Sequence, residues 1–92
     1  MAAISAVFDI PGMTSAQYDQ TIKDLQAAGA GAPQGRLHHT AHAKEGAWFV
    51  IDVWDSPESM AAFAQTLMPI LQKNGVTPTP PQIYPVHNLI RG

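Results

Sequence analysis

The chain has 92 residues with a net charge of −2; 46% of the residues are hydrophobic and 13% are charged. This composition supports one folded domain over 1–92 and excludes a disordered chain. The five Lys and Arg residues are scattered, which argues against nucleic acid or anionic membrane as a partner. Because the sequence contains no cysteine, it has no disulfide, no thiolate metal site and no cysteine nucleophile.

The beginning of the sequence does not resemble a targeting signal. Met1-Ala2-Ala3-Ile4 lacks the basic residues that open a signal peptide, and Asp9 interrupts the apolar run that follows. No segment approaches the length of about 18 consecutive apolar residues that a membrane-spanning helix needs. We therefore expect a soluble, cytoplasmic protein with no membrane partner.

The first part of the chain predicts a strand and then a helix. Residues 3–10 form an apolar run of strand length, and Pro11-Gly12 stops it. Thr14-Ser15-Ala16-Gln17 has the form of a capping box, which begins a helix that Gly29 ends. Helical spacing gives this helix an apolar stripe of Tyr18, Ile22, Leu25 and Ala28. The glycine-rich segment 29–35 lacks the ending of a phosphate-binding loop, so we interpret it as a connector.

The middle of the chain predicts a hairpin followed by a second helix. Residues 36–44 and 47–55 are two strand-like runs separated by Glu45-Gly46. Ser56-Pro57-Glu58 then begins a helix, with serine as the N-cap and proline at the first helical position. The buried stripe of this helix is Met60, Phe63, Leu67 and Leu71. Pro69 should kink or interrupt the helix because it lacks an amide donor.

Residues 82–90 predict a last strand. Because Pro85 cannot donate to a ladder, this strand should be at an edge of the sheet, or its proline should lie on an unpaired side. The order of elements predicts an α+β, ferredoxin-like βαββαβ fold. In this fold a four-stranded antiparallel sheet carries both helices on one face. If alternation holds, the other face would carry Phe49, Ile51 and Val53, and an uncovered apolar face predicts dimerisation.

The segment from Val53 to Met60, Val-Trp-Asp-Ser-Pro-Glu-Ser-Met, resembles the antibiotic biosynthesis monooxygenase-like family of the dimeric α+β barrel superfamily. Members often end the third strand with an acidic residue, a spacer and tryptophan, which correspond here to Asp52, Val53 and Trp54. The predicted topology agrees over nearly the whole chain. The resemblance implies a homodimer whose sheets pack face to face as an α+β barrel, with a pocket between the sheet and the helices of each subunit.

The same resemblance implies an activity. Family members include oxygenases that need no metal or flavin, haem-degrading enzymes and small proteins without a known activity. The haem-degrading branch uses a helical histidine as axial ligand, and Trp54 matches the tryptophan that lines its haem pocket. Many relatives have a histidine in the second helix where this chain has Ala62-Phe63, and no histidine lies within 56–75. We therefore expect no haem and no other cofactor.

Two functions follow from the resemblance. One is a monooxygenase-like oxidoreductase that acts on a small aromatic or phenolic substrate in the pocket between sheet and helices. The other is a non-catalytic dimeric protein of the same fold, either binding a small apolar ligand or serving in a stress response. Fold analogy does not choose between them, because function belongs to sites rather than to folds.

The two-residue turn sets the register of the predicted hairpin. Lys44 faces Ala47, and counting back along both strands places His39 opposite Asp52. One face then carries Leu37, His39, Ala41, Trp48, Val50, Asp52 and Trp54. The other face carries His38, Thr40, His42, Phe49, Ile51 and Val53.

His39 and Asp52 are the candidate catalytic residues. Asp52 would orient the imidazole, and His39 would act as a general base near neutral pH. Trp48 and Trp54 would stack on a flat aromatic substrate, and Tyr18 could reach the same pocket from the first helix. In the alternative interpretation, Asp52 is a partly buried acid satisfied by a neighbour, and both tryptophans belong to the core.

The remaining histidines do not predict a metal site. On a strand, His38 and His42 lie about 13 Å apart, at roughly 3.3 Å per residue. One zinc ion needs its nitrogen ligands at about 2.0–2.1 Å, so these two cannot share it. His87, in the last predicted strand, is a candidate substrate-binding residue that could approach the partner subunit's His38 or His42 across a dimer. The alternative for His87 is a half-exposed edge histidine.

Overall fold

The computed structural model describes residues 3–92, which form four strands and two helices in the predicted order. The elements are β1 (Ile4–Pro11), α1 (Ser15–Ala27), β2 (Arg36–Lys44), β3 (Ala47–Trp54), α2 (Pro57–Lys73) and β4 (Gln82–Pro85). The strands make one antiparallel sheet in the order β2-β3-β1-β4. The βαββαβ α+β fold is therefore confirmed. Within residues 3–92, neither helix is long and apolar enough to cross a membrane.

Helix α1 begins at the predicted capping box. The Thr14 hydroxyl accepts a hydrogen bond from the backbone N–H of Gln17 at 3.2 Å, and the Gln17 side-chain oxygen accepts from the backbone N–H of Thr14 at 3.0 Å. The helix ends at Ala27, so Ala28 is its C-cap. The predicted apolar stripe is buried or partly buried except at Ala28, which is exposed.

Helix α2 begins at the predicted N-cap, where the Ser56 hydroxyl accepts from the backbone N–H of Ser59 at 3.2 Å. The helix continues through Pro69, so the expected interruption does not occur. Proline deprives the Gln65 carbonyl, one turn earlier, of its N–H donor. Because Gln65 and Pro69 are both exposed, water can hydrogen-bond to this carbonyl.

The core lies between one face of the sheet and the two helices. Alternate residues of β1 and β3 point to this face, where Ile4 pairs with Trp54 and Ile10 pairs with Trp48. One buried cluster contains Ile4, Ala6, Leu25, Trp54 and Phe63, and a second contains Ile10, Met13, Leu71 and Val76. Removal of this apolar surface from water is the main stabilising term of the fold.

The opposite face of the sheet carries the predicted apolar residues of β3. Phe49 and Ile51 are partly buried on it, and Val53 is 7% exposed. Val7 of β1 lies on the same face because it pairs with Ile51. Neither helix covers this face.

The register of β2 departs from the prediction at one position. A β-bulge between Arg36 and His38 places Arg36 opposite Trp54, so the expected pairing of Leu37 with Trp54 is wrong. A bulge inserts one extra residue into one strand and so breaks the alternation from which the pairing was deduced.

Strand β4 is shorter than predicted. It lies at the sheet edge, as expected, but ends at Pro85, which pairs with Ile4. The backbone N–H of Val86 donates to the Ala3 carbonyl at 3.0 Å, and the chain then leaves the sheet. His87 therefore lies in an exposed segment beyond the strand, and its predicted place within the strand is wrong.

Candidate functional site

The predicted register holds at the centre of the hairpin and brings His39 to Asp52. Lys44 pairs with Ala47, and His39 pairs with Asp52 across the two strands. His39 Nδ1 is hydrogen-bonded to Asp52 Oδ1. The Asp52 side chain is only 7% exposed and that of His39 is 22% exposed. A carboxylate this deeply buried needs a hydrogen-bond donor, and His39 supplies one.

Tyr18 of α1 extends this pair to a chain of three side chains. Its hydroxyl oxygen lies 2.8 Å from His39 Nε2, and the planes of the two rings are nearly parallel, with an interplanar angle of 5°. In the neutral imidazole, Nδ1–H donates to the Asp52 carboxylate and Nε2 accepts from the Tyr18 hydroxyl. This tautomer is assigned from the partners, because a carboxylate can only accept.

The surroundings of Tyr18 keep its hydroxyl protonated. Burial raises the pKa of Tyr18 above its usual value of 10.0, the Arg36 charge lowers it, and the charges of Asp52 and Asp19 raise it again. The net effect is upward. At neutral pH, Tyr18 is therefore a neutral donor to His39, and its oxygen retains a lone pair that can accept a hydrogen bond from a ligand.

An apolar cavity adjoins these three side chains, between the sheet and both helices. Its volume is about 60 Å³. Its apolar lining includes Phe8, Ile10, Met13, Ile22, Leu25, Val50, Phe63, Leu67, Met68 and Leu71. The polar and charged residues in the same wall are Tyr18, Thr21, Arg36, His39 and Asp52. A few polar groups converging in a concave, mostly apolar space are typical of a small-molecule site.

The cavity must widen to admit an aromatic ring. Benzene occupies an engineered protein cavity of about 150 Å³, which is larger than this one. Met13 and Met68 are the most adaptable residues of the lining, since an unbranched thioether side chain changes rotamer at small cost. A ligand would therefore enter as these two side chains move.

Arg36 lies in the cavity wall and was not among the predicted site residues. Its guanidinium carbon is 5.9 Å from the centre of the Phe63 ring, and Nη2 donates to the Gly31 carbonyl at 3.2 Å. Strict alternation along β2 assigns the position opposite Trp54 to Leu37 instead. Because the bulge has no signature in the pattern of side chains, alternation could not identify Arg36.

Neither tryptophan lines this cavity: Trp54 lies behind its wall, and Trp48 lines a separate, more open hollow near Gly12 and Lys44. Trp54 is 0% exposed and packs against Phe63, with ring centroids 5.4 Å apart. Trp48 packs against Tyr18, with ring centroids 5.3 Å apart. Within residues 3–92, neither indole N–H has a hydrogen-bond partner. In this arrangement Trp54 supports Phe63, and Trp48 supports Tyr18.

The other three histidines lie away from the cavity. His38 and His42 are exposed on the opposite face of the sheet, where the His42 Nδ1 is 3.1 Å from the Phe49 carbonyl. His87 is exposed beyond β4. Over residues 3–92, no three His, Cys, Asp or Glu side chains are placed to hold a metal ion.

Comparisons by sequence identify no relative of this chain. No protein-family model matches the sequence. No curated protein matches it either.

Comparison of structures identifies proteins with the same fold. SnoaB, a cofactor-independent oxygenase from Streptomyces nogalater, matches with a TM-score of 0.68 at 13% identity over 100% of both chains. A Deinococcus radiodurans protein, provisionally described as an antibiotic biosynthesis monooxygenase, matches with a TM-score of 0.60 at 15% identity, over 99% of this chain and 97% of its own. A protein of unknown function from Nitrosomonas europaea matches with a TM-score of 0.64 at 19% identity, over 100% of this chain and 94% of its own.

These matches confirm the resemblance to antibiotic biosynthesis monooxygenases at the level of the fold. The agreement extends over nearly the full length of the chain. At identities of 11–20% among these matches, the shared property is the βαββαβ architecture. The activity of this chain has to be argued from its own site.

Proposed function

We propose that this chain is a small-molecule enzyme that oxygenates an aromatic or phenolic substrate without a metal or flavin. The observation that carries the proposal is the hydrogen-bonded chain of Tyr18, His39 and Asp52 in the wall of an apolar cavity. The fold shared with SnoaB, a cofactor-independent oxygenase, supports the same reaction class.

The first step is removal of the phenolic proton. The substrate hydroxyl donates to the Tyr18 oxygen, the Tyr18 proton passes to His39 Nε2, and the substrate becomes a phenolate. His39 becomes an imidazolium ion, which the buried Asp52 carboxylate stabilises through Nδ1. General-base catalysis of this kind contributes typically a factor of about 10²–10⁴ to the rate.

The second step is oxidation of the phenolate by molecular oxygen. The phenolate transfers one electron to O₂, and the resulting phenoxyl and superoxide radicals combine to form a C–O bond. The peroxide anion takes a proton from the His39 imidazolium through Tyr18, which gives a ring hydroperoxide and restores the base. The O–O bond then breaks as the C–H hydrogen at the same carbon leaves as a proton, so that a quinone and water are released. One phenol and one O₂ thus yield one quinone and one water, with four electrons passing from substrate to oxygen.

The apolar wall contributes by orienting the anion and excluding water from the radical pair. The two tryptophans fix the shape of this wall through the aromatic residues that they contact. Trp54 holds Phe63 in place, and Trp48 holds Tyr18 beside His39. This role replaces the direct stacking on substrate that the sequence suggested for the two tryptophans.

We also propose that the active form is a homodimer joined through the uncovered face of the sheet. Val7, Phe49 and Ile51 give this face an apolar centre that neither helix covers. A domain of about 90 residues buries a smaller fraction of its surface than larger domains do, so it gains stability from a partner subunit.

Oxygen uptake tests the proposed reaction. The protein is incubated with phenols of one to three rings that have an unsubstituted ring position para to the hydroxyl, and products formed under ¹⁸O₂ are analysed by mass spectrometry. We expect a quinone that carries one ¹⁸O atom. His39→Ala and Asp52→Asn should each lower turnover by about 10²-fold or more. His42→Ala, which removes an exposed imidazole from the other face of the sheet, is the matched control and should retain activity.

A non-catalytic ligand-binding protein is the second candidate, and one observation favours it. The Tyr18 hydroxyl already donates a hydrogen bond to His39 Nε2, so both imidazole nitrogens have hydrogen-bond partners without a substrate. In that case the cavity would bind a ligand and release it unchanged, and His39→Ala would leave binding intact. If His39→Ala turns over substrate as fast as the wild-type protein, His39 is not the base. If the wild-type protein binds ligands saturably and converts none of them, the second candidate is favoured.

A further inference from the structure

Arg36 is a partly buried residue, and its positive charge has no acidic partner among residues 3–92. The ion pairs found within residues 3–92 join His39 to Asp52, Lys44 to Asp9 and Lys73 to Asp24, and none of them includes Arg36. The side chain is only partly exposed and lies in the wall of the cavity. A carboxylate that enters this apolar cavity from water is stabilised when it pairs with such a charge.

Most hydrogen-bonding capacity of this guanidinium remains available. Arginine has five N–H donors in a planar fork, and the structure uses Nη2 to bind the Gly31 carbonyl at 3.2 Å. The guanidinium carbon lies 5.9 Å from the centre of the Phe63 ring, which holds the group against the apolar lining. The remaining donors match the geometry of a carboxylate, which arginine binds through two parallel hydrogen bonds.

Arg36 and His39 can contact the same ligand. They lie on one face of β2, where Arg36 is opposite Trp54 and His39 is opposite Asp52. Trp54 and Asp52 are two residues apart in β3, so the two positions are separated by roughly 7 Å along the strand. One or two fused aromatic rings span a distance of this order between a hydroxyl at one end and an acidic group at the other.

We propose that Arg36 binds a carboxylate of the ligand, so that the cavity selects aromatic acids over neutral aromatic compounds. This inference rests on the proposed function, because it assigns the class of substrate to the same cavity. The carboxylate pairs with Arg36, and the ring lies against the apolar lining. A hydroxyl at the other end of the ring meets Tyr18 and His39.

Paired probes that differ only in charge test this assignment. Isothermal titration calorimetry measures the dissociation constants of benzoate against benzamide and of 1-naphthoate against 1-naphthamide. We expect the wild-type protein to bind each carboxylate at least about tenfold more tightly than its amide. Arg36→Gln should abolish this preference and retain amide binding, and Arg36→Lys should retain part of it. The ¹⁵N shift of the Arg36 Nε–H should move on addition of the acids.

Arg91→Gln is the matched control, because it removes the same charge from an exposed position near the end of the chain. It should leave the preference unchanged. Equal binding of acid and amide by the wild-type protein would overturn the assignment of Arg36 alone, since the cavity would still bind a ring. A preference that survives Arg36→Gln would overturn it too. If neither member of either pair binds, both this assignment and the proposed function of the cavity are wrong.

Discussion

At the scale of single residues, the site depends on how each polar group is compensated. The hydrogen bond that His39 donates compensates the buried Asp52 carboxylate for its lost contact with water. Tyr18 and Asp52 bind the two ring nitrogens of His39 and so fix the orientation of the imidazole. Side-chain alternation was enough to predict the opposition of His39 and Asp52. It could not predict that Trp54 lies behind the cavity, because alternation gives the face of a residue and not its depth.

The Tyr18 hydroxyl should titrate above its usual range, since burial disfavours the phenolate. In Tyr84→Phe, Tyr18 is the one remaining tyrosine, because the chain has two. Spectrophotometric titration of this variant should give a midpoint above 10.0, and a midpoint at or below 10.0 would contradict the burial of Tyr18. The raised pKa also makes the contribution of Tyr18 to the free energy of unfolding depend on pH. It is fully present below the pKa of tyrosine in the unfolded chain and is lost as pH rises through the higher folded value.

At the scale of elements, the connector between α1 and β2 helps to build the cavity wall. The sequence predicted only a flexible link for 29–35. In the structure the Gly31 carbonyl receives the Arg36 guanidinium, and the Gly35 carbonyl accepts from the backbone N–H of Asp55 at 2.8 Å. These contacts fix the end of the connector against the turn that leads into α2. The contact between Gly35 and Asp55 joins residues 20 positions apart, and the contact between Gly31 and Arg36 depends on the bulge in β2, so local composition gave no sign of either.

Gly35→Ala should destabilise the protein more than Gly46→Ala. Both glycines have positive φ, of 89° and 69°, so both variants bear backbone strain. A Cβ at Gly35 would also lie 2.7 Å from Asp55 Oδ1 and 2.5 Å from Ser59 Cβ, whereas none of the described atoms lies within 4 Å of one at Gly46. In urea unfolding, Gly35→Ala should lower the free energy of unfolding by roughly 1–3 kcal/mol more than Gly46→Ala does. If both variants lower the free energy of unfolding equally, Gly35 does not lie this close to Asp55 and Ser59 in solution.

At the scale of the whole molecule, the order of elements and the sheet topology could be predicted because each had a local signal. The capping box of α1, the serine N-cap of α2, the two-residue turn and the alternation in the central strands agreed with one another. The bulge at Leu37 had no such signal, since it depends on how β2 pairs with β3. Arg36, which the bulge brings into the cavity, was missed for this reason. The end of β4 coincides with Pro85, whose effect on the ladder was used to place the strand at an edge and not to end it.

The proposed dimer should dissociate when charge is placed in its interface. Native mass spectrometry should give twice the 9.9 kDa mass of one chain for the wild-type protein. Ile51→Glu should give a folded monomer, because it buries a carboxylate at the centre of the uncovered sheet face. Ile90→Glu, at a position that is 79% exposed, should remain dimeric. A wild-type monomer, or a dimer that survives Ile51→Glu, would exclude this interface.

The central claim is that the space beside Tyr18 and His39 opens to admit an aromatic ring, and the methionine methyl groups test it most directly. Met13 and Met68 line the cavity, whereas Met60 packs in the neighbouring core cluster and serves as an internal control. The measurement is a ¹³C-methyl NMR titration of the folded protein with phenols and naphthols. We predict saturable shifts of Met13 and Met68 and an unmoved Met60. If Met13 and Met68 stay in place at saturating concentrations of every probe, the cavity is part of the core, and the proposed chemistry has no site.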